Sequence, residues 1–398
     1  MKRRAAGLMI FILIIAAVFA SFPGCSAGNT HPESKEETLP VPENTPYIEW
    51  NEKNEQVSQK ELEIYLSQLT PTIAIKKSSE LKWRDICPVS FWVSNFSVMT
   101  YDEADYKLYN FFYADDADEN EKMKSQTDKA ADEIISAVKA MNKGSEWDDI
   151  LAVHDELIRR TEFVTEEKNG DHSHDMYGAL VKRRAVCQGY TYAFSYILRK
   201  MGHKCTEIYS DEHIWTKIES LSSGERYIDL TWDDYNVSDI RGKPYIHHEF
   251  FCLTKEEMEQ FDEHTPEDED DSEKNSSAGD NYFRKKNYFI RKDDELGFRA
   301  CALEQFKEEK NLLEFRFESK ADYDKAGEWM MSILAELGYK ESYYEYKKPE
   351  LLIYCAGLYA PQKKQTVIKT SAGKVSEFRM HSFHTLSLNK ENDSRKFK

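Results

Sequence analysis

The spacing of apolar residues changes abruptly near the middle of this 398-residue chain. From Cys187 to Gly202 they recur every three or four residues, which predicts a helix that ends at the glycine; the apolar positions are Ala193, Phe194, Ile197, Leu198 and Met201. Beyond it, apolar and polar residues alternate in three short segments, which predicts strands over Glu207–Tyr209, His213–Ile218 and Arg226–Trp232. A further short strand is expected over Glu249–Leu253. A helix followed by alternating strands predicts an α+β unit with the helix packed on an antiparallel sheet.

Cys187 stands at the start of the predicted helix. A helix N-terminus carries unpaired N–H groups and partial positive charge, and both stabilise a thiolate. The thiolate is the nucleophilic form of cysteine, and the Cys187 N–H can face the oxyanion that forms on an attacked carbonyl. A buried structural cysteine is the alternative at such a position, so the position alone does not assign a role.

His213 and Asp229 lie on consecutive predicted strands, with a turn at Ser222–Gly224 between them. Such a hairpin brings the imidazole and the carboxylate within a few residue pairs of each other. An imidazole can take and return the proton of a thiol and a leaving group, and a carboxylate fixes its tautomer and stabilises its charged form. The predicted catalytic residues are therefore Cys187 as nucleophile, His213 as general base and acid, and Asp229 as the group that orients His213.

Three separated blocks of the chain resemble the transglutaminase-like family, a branch of the papain-like thiol enzymes. The region of the nucleophile, Tyr177–Leu180 followed by Val186–Tyr190, is similar to the family's Cys-x-Gly-Tyr element and its lead-in. Glu212–Trp215 is similar to the His-Ala-Trp element, with Ile214 in place of alanine. Tyr227–Asp234 is similar to the Asp-x-Thr-Trp element.

The resemblance extends from about Trp147 to His264, and it includes trailing features at Phe250–Leu253 and at His264 itself. It implies a papain-like core with small flanking domains, no cofactor, and acyl transfer through a thioester. Water as the acceptor gives hydrolysis of protein or peptide amide bonds, which is the leading expectation. An amine acceptor gives a cross-linking transglutaminase, and loss of competence leaves an idle surface-binding module. A disulfide between Cys187 and Cys205 is a further alternative.

Four residues close to the predicted triad are candidates for the substrate cleft: Gln188, Tyr190, Trp215 and Trp232. The two tryptophans follow His213 and Asp229 by two or three residues and are interpreted as core aromatics that frame the cleft. Gln188 directly follows the nucleophile and is expected to point into the helix, so the sequence assigns no second oxyanion donor.

The N-terminus predicts export. Lys2–Arg4 form a charged region, Leu8–Phe22 is an apolar run of signal-peptide length, and Gly24-Cys25 ends it. A cysteine after a small residue at this point resembles a lipobox, although Phe22 and Pro23 depart from the usual pattern. We expect lipidation of Cys25 and a lipid anchor on the extracellular face of the cell membrane, with secretion as the alternative.

Charge and ligand spacing argue against several other functions. The formal net charge is -18 and no basic stripe is present, which excludes a nucleic-acid partner. No CxxC pair occurs, the polar loop Asp171–Asp175 offers two histidines without a third ligand, and the acidic run Glu267–Asp271 lacks an EF-hand pattern, so no metal site is predicted. His247 and His248 are expected to be partly buried or on the surface.

These features predict six parts of the chain. In order they are a signal peptide over 1–24, a lipid-anchored flexible linker over 25–55, an N-terminal region over 56–120, the transglutaminase-like domain over 121–294, a C-terminal β-α-β appendage over 295–361, and a basic flexible tail over 362–398. The expected partner is a protein or peptide substrate, with the membrane reached through Cys25.

Overall fold

The structure is a computed structural model that describes residues 39–49, 55–86, 90–113, 117–141, 144–164, 172–239, 241–267, 281–338 and 343–358. Cys25, the predicted signal peptide and the predicted tail lie outside these residues, so export and lipidation stay predictions. Within the described ranges, no helix combines the length and the apolar character needed to cross a membrane.

The N-terminal part is a four-stranded sheet flanked by helices. Its elements are β1 (Tyr47–Ile48), α1 (Glu55–Ser67), β2 (Thr72–Lys76), α2 (Trp83–Ile86), β3 (Val93–Thr100) and β4 (Tyr106–Tyr113). The strand order is β1-β2-β4-β3, with β1 parallel to β2 and the other pairs antiparallel.

The central part places helices against a small antiparallel sheet. Its elements are α3 (Ala117–Met141), α4 (Glu146–Arg160), β5 (Glu162–Phe163), a π turn (Gly178–Lys182), β6 (Arg184–Ala185), α5 (Cys187–Met201), β7 (Cys205–Tyr209), β8 (Ile214–Ile218), β9 (Arg226–Ile228), α6 (Leu230–Asp233), α7 (Lys255–Met258), a 3-10 turn (Asp262–His264) and α8 (Tyr282–Lys285). The sheet order is β7-β8-β9, and α5 packs against α3, α4, β7 and β8. This is the expected arrangement of a cysteine-bearing helix on an antiparallel sheet.

The C-terminal part is a second four-stranded sheet, where the sequence predicted a single β-α-β unit. Its elements are β10 (Phe289–Ile290), α9 (Glu295–Lys307), β11 (Leu312–Phe317), α10 (Lys320–Glu336), β12 (Tyr343–Lys348) and β13 (Ile353–Leu358). The strand order is β10-β11-β13-β12. One continuous group of buried apolar residues runs through all three parts, from Ile48 to Leu358. The described parts therefore share a core.

Helix α5 ends where the sequence predicted. Gly202 adopts a left-handed conformation with φ 94°, and its N–H and that of His203 donate to the carbonyls of Arg199 and Leu198. Glycine has no Cβ to clash in this conformation, so it ends the helix at low cost.

Two predicted strands are shorter than expected. β9 ends at Ile228 because the Asp229 side chain accepts hydrogen bonds from the N–H groups of Thr231 and Trp232, which starts the short helix α6. The segment Glu249–Leu253 was expected to be a strand, but among its described residues only Leu253 forms a bridge, with Tyr227. Both segments are apolar because they are buried, and burial alone does not distinguish a strand from a turn.

Candidate active site

Cys187 is the first residue of α5 and is a half-buried free thiol. Val186 at the N-cap provides no side-chain hydrogen bond to the N–H groups of the first turn. Those groups and the helix dipole favour a negative charge on the sulfur or on a bound oxyanion.

His213 and Asp229 meet at one end of the β8–β9 hairpin. The two strands pair antiparallel with Thr216 opposite Ile228, so His213 just before β8 lies near Asp229 just after β9. His213 Nε2 is 2.6 Å from Asp229 Oδ2. Both residues are buried, with His213 8% exposed. The hairpin and the proximity predicted from the sequence are thus present in the structure.

The third residue is brought to this pair by contacts between α5 and β8. Thr191, one turn after Cys187, donates from Oγ1 to the carbonyl of Ile214 at 3.1 Å. Cys187 acts on the same imidazole, because its interaction with His213 is one of the causes that raise the pKa of His213. Because Asp229 occupies Nε2, the other ring nitrogen, Nδ1, is the one available for proton exchange with the sulfur.

His213 and Asp229 are both charged at neutral pH. Burial disfavours the imidazolium, but the Asp229 carboxylate, and to a lesser degree the Cys187 thiol, outweigh burial and raise the pKa of His213 to about 10. Burial also opposes ionisation of Asp229, yet the charge of His213 and hydrogen bonds from two imidazoles hold the pKa of Asp229 well below its usual range. An imidazolium therefore lies beside a thiol at the start of a helix.

A second histidine contacts the same carboxylate. His264, in the 3-10 turn Asp262–His264, places Nε2 2.8 Å from Asp229 Oδ2. Burial lowers the pKa of His264 despite the opposing effect of Asp229, so the neutral ring donates its Nε2–H. The sequence named His264 only as a trailing family feature. The two residues are 35 positions apart, and no local pattern indicated their contact.

We expect His264→Leu to lose about 1.5–3 kcal/mol of stability relative to His264→Gln at pH 7, since glutamine can still donate to the Asp229 carboxylate. The pKa of Asp229 is lower in the folded state than in the unfolded state. The ionised carboxylate therefore contributes to the free energy of unfolding above the unfolded carboxyl pKa, and this contribution is lost as the pH falls. The difference between the variants should therefore narrow below about pH 4. Urea unfolding at several pH values measures it, and a difference independent of pH would mean that the ring acts only through packing.

The four cleft candidates lie in different environments. Trp215 is buried and stacks on the His213 ring, with centroids 6.0 Å apart, while half-buried Trp232 lies 6.2 Å from the same ring. Gln188 is half-buried, and its Oε1 accepts from His174 Nδ1 at 2.7 Å. Tyr190 is fully buried and donates to Asp234 Oδ2 at 2.6 Å. Tyr190 therefore anchors α5 in the core and does not face a cleft.

The loop before α5 lies directly on its first turn. Val186 donates its N–H to the Ser173 carbonyl at 2.9 Å. A Cβ at Gly189 would lie 2.5 Å from that same oxygen, so only glycine allows this approach. His172 bonds Asp175 at 2.7 Å while His174 bonds Gln188, so these two histidines have separate partners. The loop flanks Cys187 at the exposed side of the site.

Two other expectations are wrong. Cys187 and Cys205 are both free, and the buried Cys205 thiol donates to the Ser195 carbonyl at 3.7 Å, so they form no disulfide. His247 and His248 are both buried, and each contacts a buried carboxylate, Glu249 and Glu314 respectively. A buried histidine needs a hydrogen-bonding partner; His247 finds one two positions along the chain in Glu249, whereas Glu314 lies 66 positions from His248.

Lys348, at the end of β12, connects the C-terminal sheet to the site. Its ammonium group lies 4.5–5.0 Å from the ring centroids of Trp232, Phe250 and Phe261. A cation over aromatic faces is attracted to them, most strongly where water is excluded. The C-terminal part thus holds the aromatic group next to His213, which the sequence did not predict.

No protein-family model matches the chain, and no curated protein matches it either. Solved structures that resemble it include a TGase, with 14% identity and a TM-score of 0.24 over 47% of this chain and 59% of that one. A candidate cysteine protease from Cytophaga hutchinsonii has 10% identity and a TM-score of 0.22 over 38% and 65%. Menin, in a structure whose subject is its binding site for Mixed Lineage Leukemia protein, has 17% identity and a TM-score of 0.22 over 33% and 29%.

The chain spans less than two thirds of each of these proteins. Identities this low concern the fold alone, and TM-scores this low carry no argument about function. The chemistry is therefore inferred from the geometry of Cys187, His213 and Asp229. The chain has the α+β fold expected from the sequence, with a cysteine-bearing helix on an antiparallel sheet, and its solved neighbours include a TGase and a candidate cysteine protease.

Proposed function

We propose that the chain is a transglutaminase-like cysteine enzyme that forms a thioester at Cys187 and hydrolyses protein or peptide amide bonds. The observation that carries this proposal is the 2.6 Å hydrogen bond between His213 Nε2 and Asp229 Oδ2, on a histidine whose pKa Cys187 also helps to raise. A structural cysteine would have no need of a buried, carboxylate-bound imidazole beside it.

In the first half-reaction, the Cys187 thiolate attacks the carbonyl carbon and a C–S bond forms. The charge that develops on oxygen is stabilised by the uncapped N–H groups at the start of α5. His213 gives its proton to the leaving nitrogen as the amide C–N bond breaks. Asp229 keeps the ring oriented and stabilises its cationic form before that transfer.

In the second half-reaction, His213 takes a proton from water, and the resulting hydroxide oxygen attacks the thioester carbon. The C–S bond breaks, the carboxylic acid product leaves, and the thiolate and imidazolium are restored. An amine that reaches the thioester before water would yield a new amide by the same steps. The acceptor therefore depends on what enters the exposed side of the site, near His174 and Gln188.

The proposal is tested by incubating the protein with peptides that have free termini, some of which contain glutamine. Each peptide is used with and without a primary amine, and the products are identified by mass spectrometry. We expect cleaved or deamidated peptide whether or not the amine is present, because water is the proposed acceptor. Amine adducts would instead indicate cross-linking. The Cys187→Ala variant gives the background level of product. If the wild-type protein yields no product above that level from a broad peptide library, the chain is better explained as an idle binding module.

A further inference from the structure

A second group of histidines and carboxylates lies away from Cys187. His154 and Asp155 are on α4, and His248 precedes α7 by several residues in the chain. His154 Nδ1 and His248 Nε2 lie 3.1 Å and 3.0 Å from the same oxygen, Asp155 Oδ1. One ligand atom from each residue lies within 4.8 Å of the other two.

These spacings suit a metal ion. Zn²⁺ binds imidazole nitrogen and carboxylate oxygen at about 2.0–2.2 Å, so ligand atoms around a tetrahedral ion lie about 3.3 Å apart. The distances around Asp155 Oδ1 are close to that value. The same distances also fit direct hydrogen bonds, whereas those from Asp229 Oδ2 to the imidazoles of His213 and His264, at 2.6 and 2.8 Å, are too short for ligands of one tetrahedral ion.

The second nitrogen of each imidazole points to another carboxylate. His154 Nε2 is 3.2 Å from Asp233 Oδ2, and His248 Nδ1 is 2.8 Å from Glu314 Oε2. Both carboxylates are buried. Metal-bound histidines usually donate their other N–H to a carboxylate in this way, which turns the free lone pair toward the metal.

Charge and access also fit a cation. Three carboxylates, on Asp155, Asp233 and Glu314, surround two imidazoles in a largely buried space, and a divalent cation would offset the negative charge that remains beside the Lys310 ammonium group. The Asp155 side chain is 27% exposed, so an ion and a water molecule have a route from solvent.

We propose that His154, Asp155 and His248 bind one divalent transition-metal ion of the zinc class, with water completing the coordination. The ion would join α4 to the segment before α7 and, through Glu314, to β11 of the C-terminal sheet. Through Asp233 it would also support α6, whose N-cap is Asp229. The role is structural, and the proposal does not depend on the proposed function.

The test measures metal binding in the full chain carrying Cys187→Ala, which removes the thiol that could bind zinc at the active site. Elemental analysis after dialysis against Zn²⁺, and titration with Co²⁺ followed by visible absorption, give stoichiometry and ligand type. We expect one tightly bound ion per chain and a Co²⁺ spectrum without a thiolate charge-transfer band.

Matched variants identify the ligands. Asp155→Asn and His248→Gln should each weaken Zn²⁺ binding at least about ten-fold. His203→Gln should leave it unchanged, because His203 also pairs with a carboxylate, Glu146 at 3.0 Å, but lies outside the group. Circular dichroism checks that each variant is folded. If His248→Gln does not fold, Asp155→Asn alone tests the proposal, since the asparagine has the same shape as the aspartate and the Asp155 side chain is partly exposed.

Three results would overturn the proposal. The first is the absence of a tightly bound ion under these conditions. The second is binding that Asp155→Asn does not weaken. The third is a thiolate band that Cys355→Ser removes, which would place the ion at the separate buried group His247, Glu249 and Cys355.

Discussion

Cys187 should react with iodoacetamide on the order of 10³-fold faster than Cys205 at pH 7. Cys187 is half-buried beside the His213 imidazolium, and cysteines next to a cation are generally the reactive ones. Cys205 is buried, and burial raises the pKa of its thiol to about 12, so about one molecule in 10⁵ is a thiolate at this pH. Peptide mapping over a time course measures both rates in the same sample.

If the labelling rate of Cys187 depends on His213, the thiol is activated by the imidazole and is not reactive merely because it is exposed. His213→Ala should remove most of the preference for Cys187, because the cation beside the sulfur is lost. His203→Ala is the matched control, since His203 is also partly buried and paired with a carboxylate but follows the far end of α5. Equal labelling of Cys187 and Cys205, or a preference that survives in His213→Ala, would contradict the proposed site.

Asp229→Asn should lower kcat/KM at pH 7 on the order of 10²–10⁴-fold and should also change the shape of the pH profile. The amide leaving group needs a proton from His213, so activity falls on the alkaline side as that proton is lost. In the wild-type protein this limb should lie near pH 10, because Asp229 raises the pKa of His213 to about 10. Without the carboxylate, the limb should move down toward the usual imidazole pKa of about 6.5.

The direction of this shift follows from the charges. Burial alone lowers the pKa of His213, and the negative charge of Asp229 reverses that effect. An asparagine can still accept a hydrogen bond but carries no charge, so burial prevails. Asp239→Asn is the matched control, since the Asp239 side chain is buried and accepts backbone N–H groups of Arg241 and Lys243. An alkaline limb that stays near pH 10 in Asp229→Asn would show that the carboxylate does not set the pKa of His213.

The proximity of His213 and Asp229 could be predicted from the sequence because a hairpin is local structure, whereas the approach of Cys187 depends on the packing of α5 against β8. Helix spacing placed Cys187 at a helix start, and alternation with a glycine-containing turn placed His213 and Asp229 on one hairpin. The hairpin register could not be predicted in detail, because Asp229 ends its strand by capping α6, and a capping side chain looks like any other aspartate in an alternating segment.

The remaining contacts of the site connect residues far apart in the chain. His264 reaches Asp229 across 35 positions, and His248 reaches Asp155 across 93. Lys348 reaches the aromatic group from a different sheet. Such contacts depend on how the helices and sheets pack, and in a single sequence a buried histidine paired with a distant carboxylate resembles an exposed one. The same reason explains why the burial of His248 was not predicted, since its partners Asp155 and Glu314 are both far away in the chain.

The account is tested most directly by trapping the acyl-enzyme. Wild-type protein mixed with a cleavable peptide, quenched rapidly in acid and digested, should show the acyl part of the peptide attached to Cys187. Hydroxylamine should release it, as expected of a thioester, and Cys187→Ser should not form it. Product formation without acylation of Cys187, or an acyl group on any other residue, would contradict catalysis by this cysteine.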